Sequence, residues 1–170
     1  MTPLERLWNG WRATYVQSVG TSEVPAGEGS IFTRILASGM SDEEANIVHR
    51  GEHVFVILNA YPYGTGHTLI LPYREVADLE ALTVDETTEL WATATDTVRA
   101  VKTAYRPDGV NVGLNLGRPA GGSVSEHLHV HVVPRWTGDA NFMTAVANTR
   151  TLPEPLADTA RKLRSAWPVG

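Results

Sequence analysis

His127-Leu-His-Val-His-Val-Val133 alternates at a period of two, and its reading decides the rest of the chain. On an extended strand residues i, i+2 and i+4 share a face. His127, His129 and His131 therefore project together, while Leu128, Val130 and Val132 enter a core. The chain has 6 histidines, and half of them sit in this one segment. Three hydrogen-bonding rings that titrate near neutrality are a poor choice for stabilising a sheet face, so the pattern needs a chemical cause.

Working outward, Gly117-Arg-Pro-Ala-Gly-Gly-Ser123 is a glycine-rich loop just before the histidines. Val110-Asn-Val-Gly-Leu-Asn-Leu116 alternates again, with Val110, Val112, Leu114 and Leu116 on one face. His53 to Asn59 and His67 to Pro72 read as buried strands joined by the turn chemistry of Tyr61-Pro-Tyr-Gly-Thr-Gly66. Ser41-Asp-Glu-Glu44 and Thr83-Val-Asp-Glu86 are capping boxes, in which a hydroxyl and a carboxylate reciprocally satisfy the first amides of a helix. The first predicts a short helix to about His49. The second predicts a helix to about Tyr105, stopped by Pro107, with Leu90, Trp91, Ala94, Val98, Val101 and Tyr105 on one face. Helices are also expected over 3–17 and after Pro155, and residues 18–31 read as a mobile connection. The sum is an α+β fold, an antiparallel sheet with helices packed on it.

The length of 170 residues suits one domain: an N-terminal helix and connection over 1–44, a motif-bearing core over 45–145 and a C-terminal helix over 146–170. A formal charge of -5 with no basic run argues against a nucleic-acid surface, which needs clustered Lys and Arg. With 0 cysteines the chain has no disulfide, thiolate zinc site or Cys nucleophile. No apolar run reaches the roughly 18 residues of a membrane helix. Nothing at the start reads as a signal peptide, so the expected location is the cytoplasm.

Two chemistries account for the histidine face. In one, His-x-His aims two ligands at a metal ion; His67 is available as a third, but no Asp or Glu lies in register with the strand. In the other, one imidazole attacks phosphorus while its neighbours supply protons and charge. That reading wants anion-binding amides nearby, and Gly121, Gly122 and Ser123 offer them. The loop alone is equally compatible with a plain connection.

His127-Leu-His-Val-His-Val-Val133 resembles the signature of the histidine triad (HIT) family. The likeness extends to Leu58-Asn-Ala-Tyr-Pro-Tyr-Gly-Thr-Gly-His67, to Leu69-Ile-Leu-Pro-Tyr-Arg74 and to Asn115, over roughly residues 45–145. Asn111-Val-Gly-Leu-Asn-Leu-Gly117, with Ser125 to Trp136 and Gly138-Asp-Ala-Asn-Phe142, is similar to the family's actinobacterial diadenosine tetraphosphate phosphorylase branch.

The resemblance implies a nucleotidyl transferase acting on dinucleoside polyphosphates. His129 would take the adenylyl group at the α-phosphorus. His127 and His131 would hold phosphate oxygens and assist it, and His67 would complete the cluster. Asn59 would bond the ribose. Asn115, Gly122 and Ser123 would hold phosphate oxygens, Ser123 also helping the leaving group. Trp136 would cover the nucleotide, with a core position as its alternative.

No required cofactor is expected. By the same resemblance, inorganic phosphate would be the co-substrate, and a divalent metal arriving with the nucleotide is compatible. Family members pair as homodimers through the helix before the Asn115 strand, here residues 84–105. One departure stands out: where hydrolase and phosphoramidase branches carry Gln, this loop reads Gly121-Gly-Ser-Val-Ser-Glu126. Lacking a residue to orient water, it favours phosphate as second nucleophile. The rivals are a hydrolase or phosphoramidase on the same site and a non-catalytic nucleotide- or metal-binding domain.

Overall fold

The computed structural model describes residues 27–139 and 154–168. The expected helix over 3–17 and most of the expected connection over 18–31 lie outside them. In chain order the elements are α1 (Ile31–Ala37), α2 (Asp42–Ala45), β1 (Ile47–Arg50), β2 (Val54–Leu58), β3 (Thr68–Pro72), α3 (Val84–Tyr105), β4 (Gly109–Leu114), β5 (Val130–Arg135) and α4 (Leu156–Ser165). The five strands form one sheet in the order β1-β2-β3-β5-β4, with every neighbouring pair antiparallel. This is the expected α+β arrangement.

β2 and β3 are buried along their whole length, which explains why Val54-Phe-Val-Ile-Leu58 and Thr68-Leu-Ile-Leu-Pro72 carry apolar residues without alternation. Both faces of the sheet are covered. On one face α3 and α4 close a core in which Leu90, Ala94 and Val101 meet Val54, Val56, Ile70, Val130 and Val132, with Leu163 from α4. On the other, Phe32 of α1 packs with Ile47, Phe55, Ile57, Leu69 and Leu71.

Both capping boxes form: Ser41 with Glu44 and Thr83 with Glu86. The helix after Ser41 ends much sooner than His49. Asn46 adopts a left-handed conformation at φ 55°, where its amide closes the last turn, and Ile47 and Val48 go on as strand β1, buried on both sides. His49 is thus a strand residue, stacked on Trp167 at 4.4 Å. A second difference lies at the N-terminal side. Ser30 caps a real helix, α1, where the composition reads as a connection up to residue 31. A third is at the sheet edge: Val112 and Leu116 stand 45% and 42% exposed instead of filling the core. Trp91 of α3 is likewise exposed at 43%.

Candidate active site

Leu128, Val130 and Val132 are buried in the α3 face, so the three histidines necessarily face α1. Ladder pairing begins only at Val130. Ahead of it the chain is pinned by Leu128, whose amide donates to the Val76 carbonyl at 2.7 Å. This holds His127 and His129 over the end of β3.

Hydrogen-bond partners fix the proton positions ring by ring. His127 is fully buried; its Nε2 lies 2.9 Å from the Pro72 carbonyl and must carry the proton, so its Nδ1, 2.7 Å from the Ser30 hydroxyl, accepts. His129 Nδ1 lies 2.8 Å from the His127 carbonyl and donates to it. Its Nε2 is then a lone pair, and the ring lines a cavity. His67 Nδ1 accepts the Tyr63 amide at 2.9 Å, so His67 Nε2 donates to His131 Nδ1, also at 2.9 Å. His131 then carries its proton on Nε2; the Asn115 atom 3.4 Å from it is Nδ2, itself a donor, so Asn115 accepts that proton only with its amide turned to present Oδ1. The His129 and His131 rings meet edge to face at 4.8 Å. The face thus sets a nucleophilic nitrogen beside an N–H donor.

Burial holds the pKa of His129 below the ordinary imidazole value, against the opposing pull of its bond to the His127 carbonyl. Burial depresses His127 in the same way, opposed by the Pro72 carbonyl and the Glu75 charge. Both rings are neutral at physiological pH, as a nucleophilic imidazole must be.

The cavity measures about 140 Å³, much more than one water requires. Part of its lining is apolar, from Ile31, Phe32 and Ile35 of α1 with Ala45, Ile57 and Leu69; part is polar, from Asn59, Ser123, His129 and His131. A flat apolar group fits the first and an anion the second. Tyr63, which also lines the cavity, packs tilted against His67 at 4.6 Å and stacks on His131 at 5.9 Å.

The structure brings together His67, His129, His131, Asn59, Asn115 and Ser123 of the expected site. Asn59 also caps its turn, accepting the Tyr61 amide at 3.0 Å. Three residues differ from expectation. His127, with both ring nitrogens bonded inside the protein, presents none to a phosphate. Gly122 turns its amide inward to the Gly117 carbonyl at 3.3 Å, as Gly121 does to the Arg118 carbonyl at 2.9 Å; these glycines close the loop instead of cradling an anion. A Cβ on Gly122 would sit 3.2 Å from the carbonyl oxygens of both Asn115 and Gly117, so no larger residue closes it this way without a shift. Trp136 packs edge-on to Tyr105 at 6.5 Å and is not among the residues lining the cavity. The α1 wall and Tyr63 are site residues that the sequence reading does not include. Ile31 and Phe32 with Ile35 behind a Ser cap is the helical spacing that marks them.

Comparison with known proteins gives this constellation its family. A match to the HIT domain spans residues 41–138. The chain belongs to the HIT family. Within it, the chain is 47% identical to the AP-4-A phosphorylase of Mycobacterium tuberculosis, over 96% of this chain and 85% of the relative. It is 34% identical to a bis(5'-adenosyl)-triphosphatase of Dictyostelium discoideum, over 54% of this chain and 61% of that one. A zinc-bound histidine triad protein of Mycobacterium smegmatis superposes with a TM-score of 0.66 at 28% identity, covering 81% of this chain and 92% of its own. In the present HIT protein no group of three or more His, Cys, Asp or Glu among the described residues is placed to share a metal ion. No helix among those residues is long and apolar enough to cross a membrane.

Proposed function

We propose that this HIT enzyme moves an adenylyl group from diadenosine tetraphosphate to inorganic phosphate through adenylyl-His129. One observation carries the reading: His129 Nδ1–H is tied to the His127 carbonyl, which leaves the Nε2 lone pair on the cavity. In the first step Nε2 attacks the α-phosphorus, the bond to the bridging oxygen breaks, and ATP departs. His131 Nε2–H and Ser123 are the donors beside the displaced charge. In the second step a phosphate oxygen attacks the same phosphorus, the N–P bond breaks, and ADP leaves with His129 restored. Covalent catalysis divides one difficult displacement into two easier ones.

Phosphate is preferred over water as second nucleophile for two reasons. The relative 47% identical over most of the chain is a phosphorylase by name, and the loop Gly121–Glu126 has no Gln to orient water. The triphosphatase relative keeps hydrolysis as the alternative. The adenine packs on the apolar lining of the cavity. A divalent ion accompanies the nucleotide if it is needed at all. The protein works in the cytoplasm as a homodimer; exposed Val112 and Leu116 beside the β4 edge, and Trp91 on α3, are the apolar surface such pairing would cover.

Product analysis separates the readings. Diadenosine tetraphosphate with phosphate should yield ADP and ATP, and little product without it. AMP and ATP formed equally well in both conditions would establish hydrolysis instead.

A further inference from the structure

Helix α1 does more than wall the cavity. Ser30, at its N-cap, is buried, and its hydroxyl sits 2.7 Å from His127 Nδ1. The Glu75 carboxylate anchors this cap: one oxygen accepts the Ser30 amide at 2.7 Å and the Thr33 hydroxyl at 2.6 Å. Gly29 turns at φ 84°, and a Cβ there would come within 2.7 Å of the same Glu75 oxygen, so the close approach depends on glycine. Phe32, two residues on, packs edge-on against His127 at 5.6 Å and tilted against His129 at 5.8 Å.

We infer that Ser30, anchored by Glu75, is a positioning residue that holds the nucleophile through His127. The Ser30 hydroxyl donates to His127 Nδ1 while His127 Nε2–H donates to the Pro72 carbonyl, so that ring is gripped at both nitrogens. The carbonyl of the same residue accepts His129 Nδ1–H. A ring that cannot rotate keeps its own peptide in place, and that peptide selects the His129 tautomer whose lone pair faces the cavity. His127 is therefore the link in a relay that runs from Glu75 and Ser30 to His129, not a phosphate ligand. It also follows that the helix forming the apolar wall and the group orienting the nucleophile are one rigid piece. This inference rests on His129 being the nucleophile.

The test is single-turnover adenylylation of His129 in the full chain, with AMP affinity measured separately and the His127 ring nitrogens followed by ¹⁵N NMR. Ser30→Gly removes the hydroxyl while glycine remains an acceptable helix cap. It should slow adenylylation by about 10²-fold, the penalty of a misplaced reacting group, with AMP affinity little changed and the His127 nitrogen resonances shifted. Ser30→Thr, which retains the hydroxyl, should recover most of the rate. Glu75→Ala leaves Ser30 in place without its anchor and should slow the step less; it carries the test should Ser30→Gly fold poorly. Wild-type rates in Ser30→Gly, or in Glu75→Ala if that variant must serve, would overturn the inference. If wild-type protein never forms the adduct while Ser30→Gly still shifts the His127 resonances, the grip on His127 stands and the adenylyl-transfer reading falls.

Discussion

The two faces of the sheet are built from the same strands and do opposite work. Along β5 and the residues just before it, Leu128, Val130 and Val132 vanish into a closed core under α3 and α4, whereas His127, His129 and His131 look toward α1. The first face is apolar and interchangeable in kind. The second has its ring nitrogens directed by particular donors or acceptors, His129 Nε2 excepted, so its chemistry depends on single hydrogen bonds. One strand can serve both because the pleat separates successive side chains completely. Stability and chemistry should then be separable by mutation.

The largest effect is expected on the histidine face. His129→Ala should lower turnover on the order of 10⁴-fold or more, as loss of a covalent nucleophile does, and leave thermal melting close to wild type. Melting that collapses with activity would show that the faces are not independent. The opposite face gives the opposite result. Leu90→Ala, in the closed core, should remove about 2–5 kcal/mol of stability in urea unfolding, yet the folded fraction should keep its turnover number. A fall in turnover per folded molecule would mean that the core positions the site more tightly than its geometry indicates.

A smaller effect comes from pH. His127 and His129 have folded-state pKa values below the ordinary 6.5. The folded protein therefore binds fewer protons than the unfolded chain near and below that value, and stability rises with pH there. The stability linked to these two rings is fully present above about 6.5, the unfolded pKa, and is lost as pH falls toward the folded values. The acid limb of kcat/KM should likewise lie below the ordinary imidazole range, because the nucleophile stays neutral to lower pH. Urea melts and rates over the same pH series check both, and an acid limb at or above 6.5 would contradict the burial of His129.

The apolar face and the histidine face were unequally legible in the sequence. Strand alternation and capping boxes are local patterns, so the sheet, α3 and the shared direction of the histidines follow from neighbours a few residues apart. The length of α2 does not, because the left-handed Asn46 ends it where the capping signal alone suggests continuation. The grip on His127 is illegible for a stronger reason. Ser30 and His127 are separated by 97 positions and Ser30 and Glu75 by 45, so no spacing rule joins them. Gly122 stands out in the sequence as a loop glycine beside the histidines, but its amide direction is a property of the folded turn with Gly117. Trp136 fits a nucleotide cover or a packing residue equally well by type, and only its contact with Tyr105 places it.

The central claim is a bond between His129 Nε2 and phosphorus. Protein mixed with diadenosine tetraphosphate in the absence of phosphate, quenched within one turnover and analysed by peptide mass spectrometry, should carry one adenylyl group on His129, and adding phosphate before the quench should discharge it as ADP. Turnover with no adduct on His129 at any quench time, or an adduct on another residue, would contradict the account.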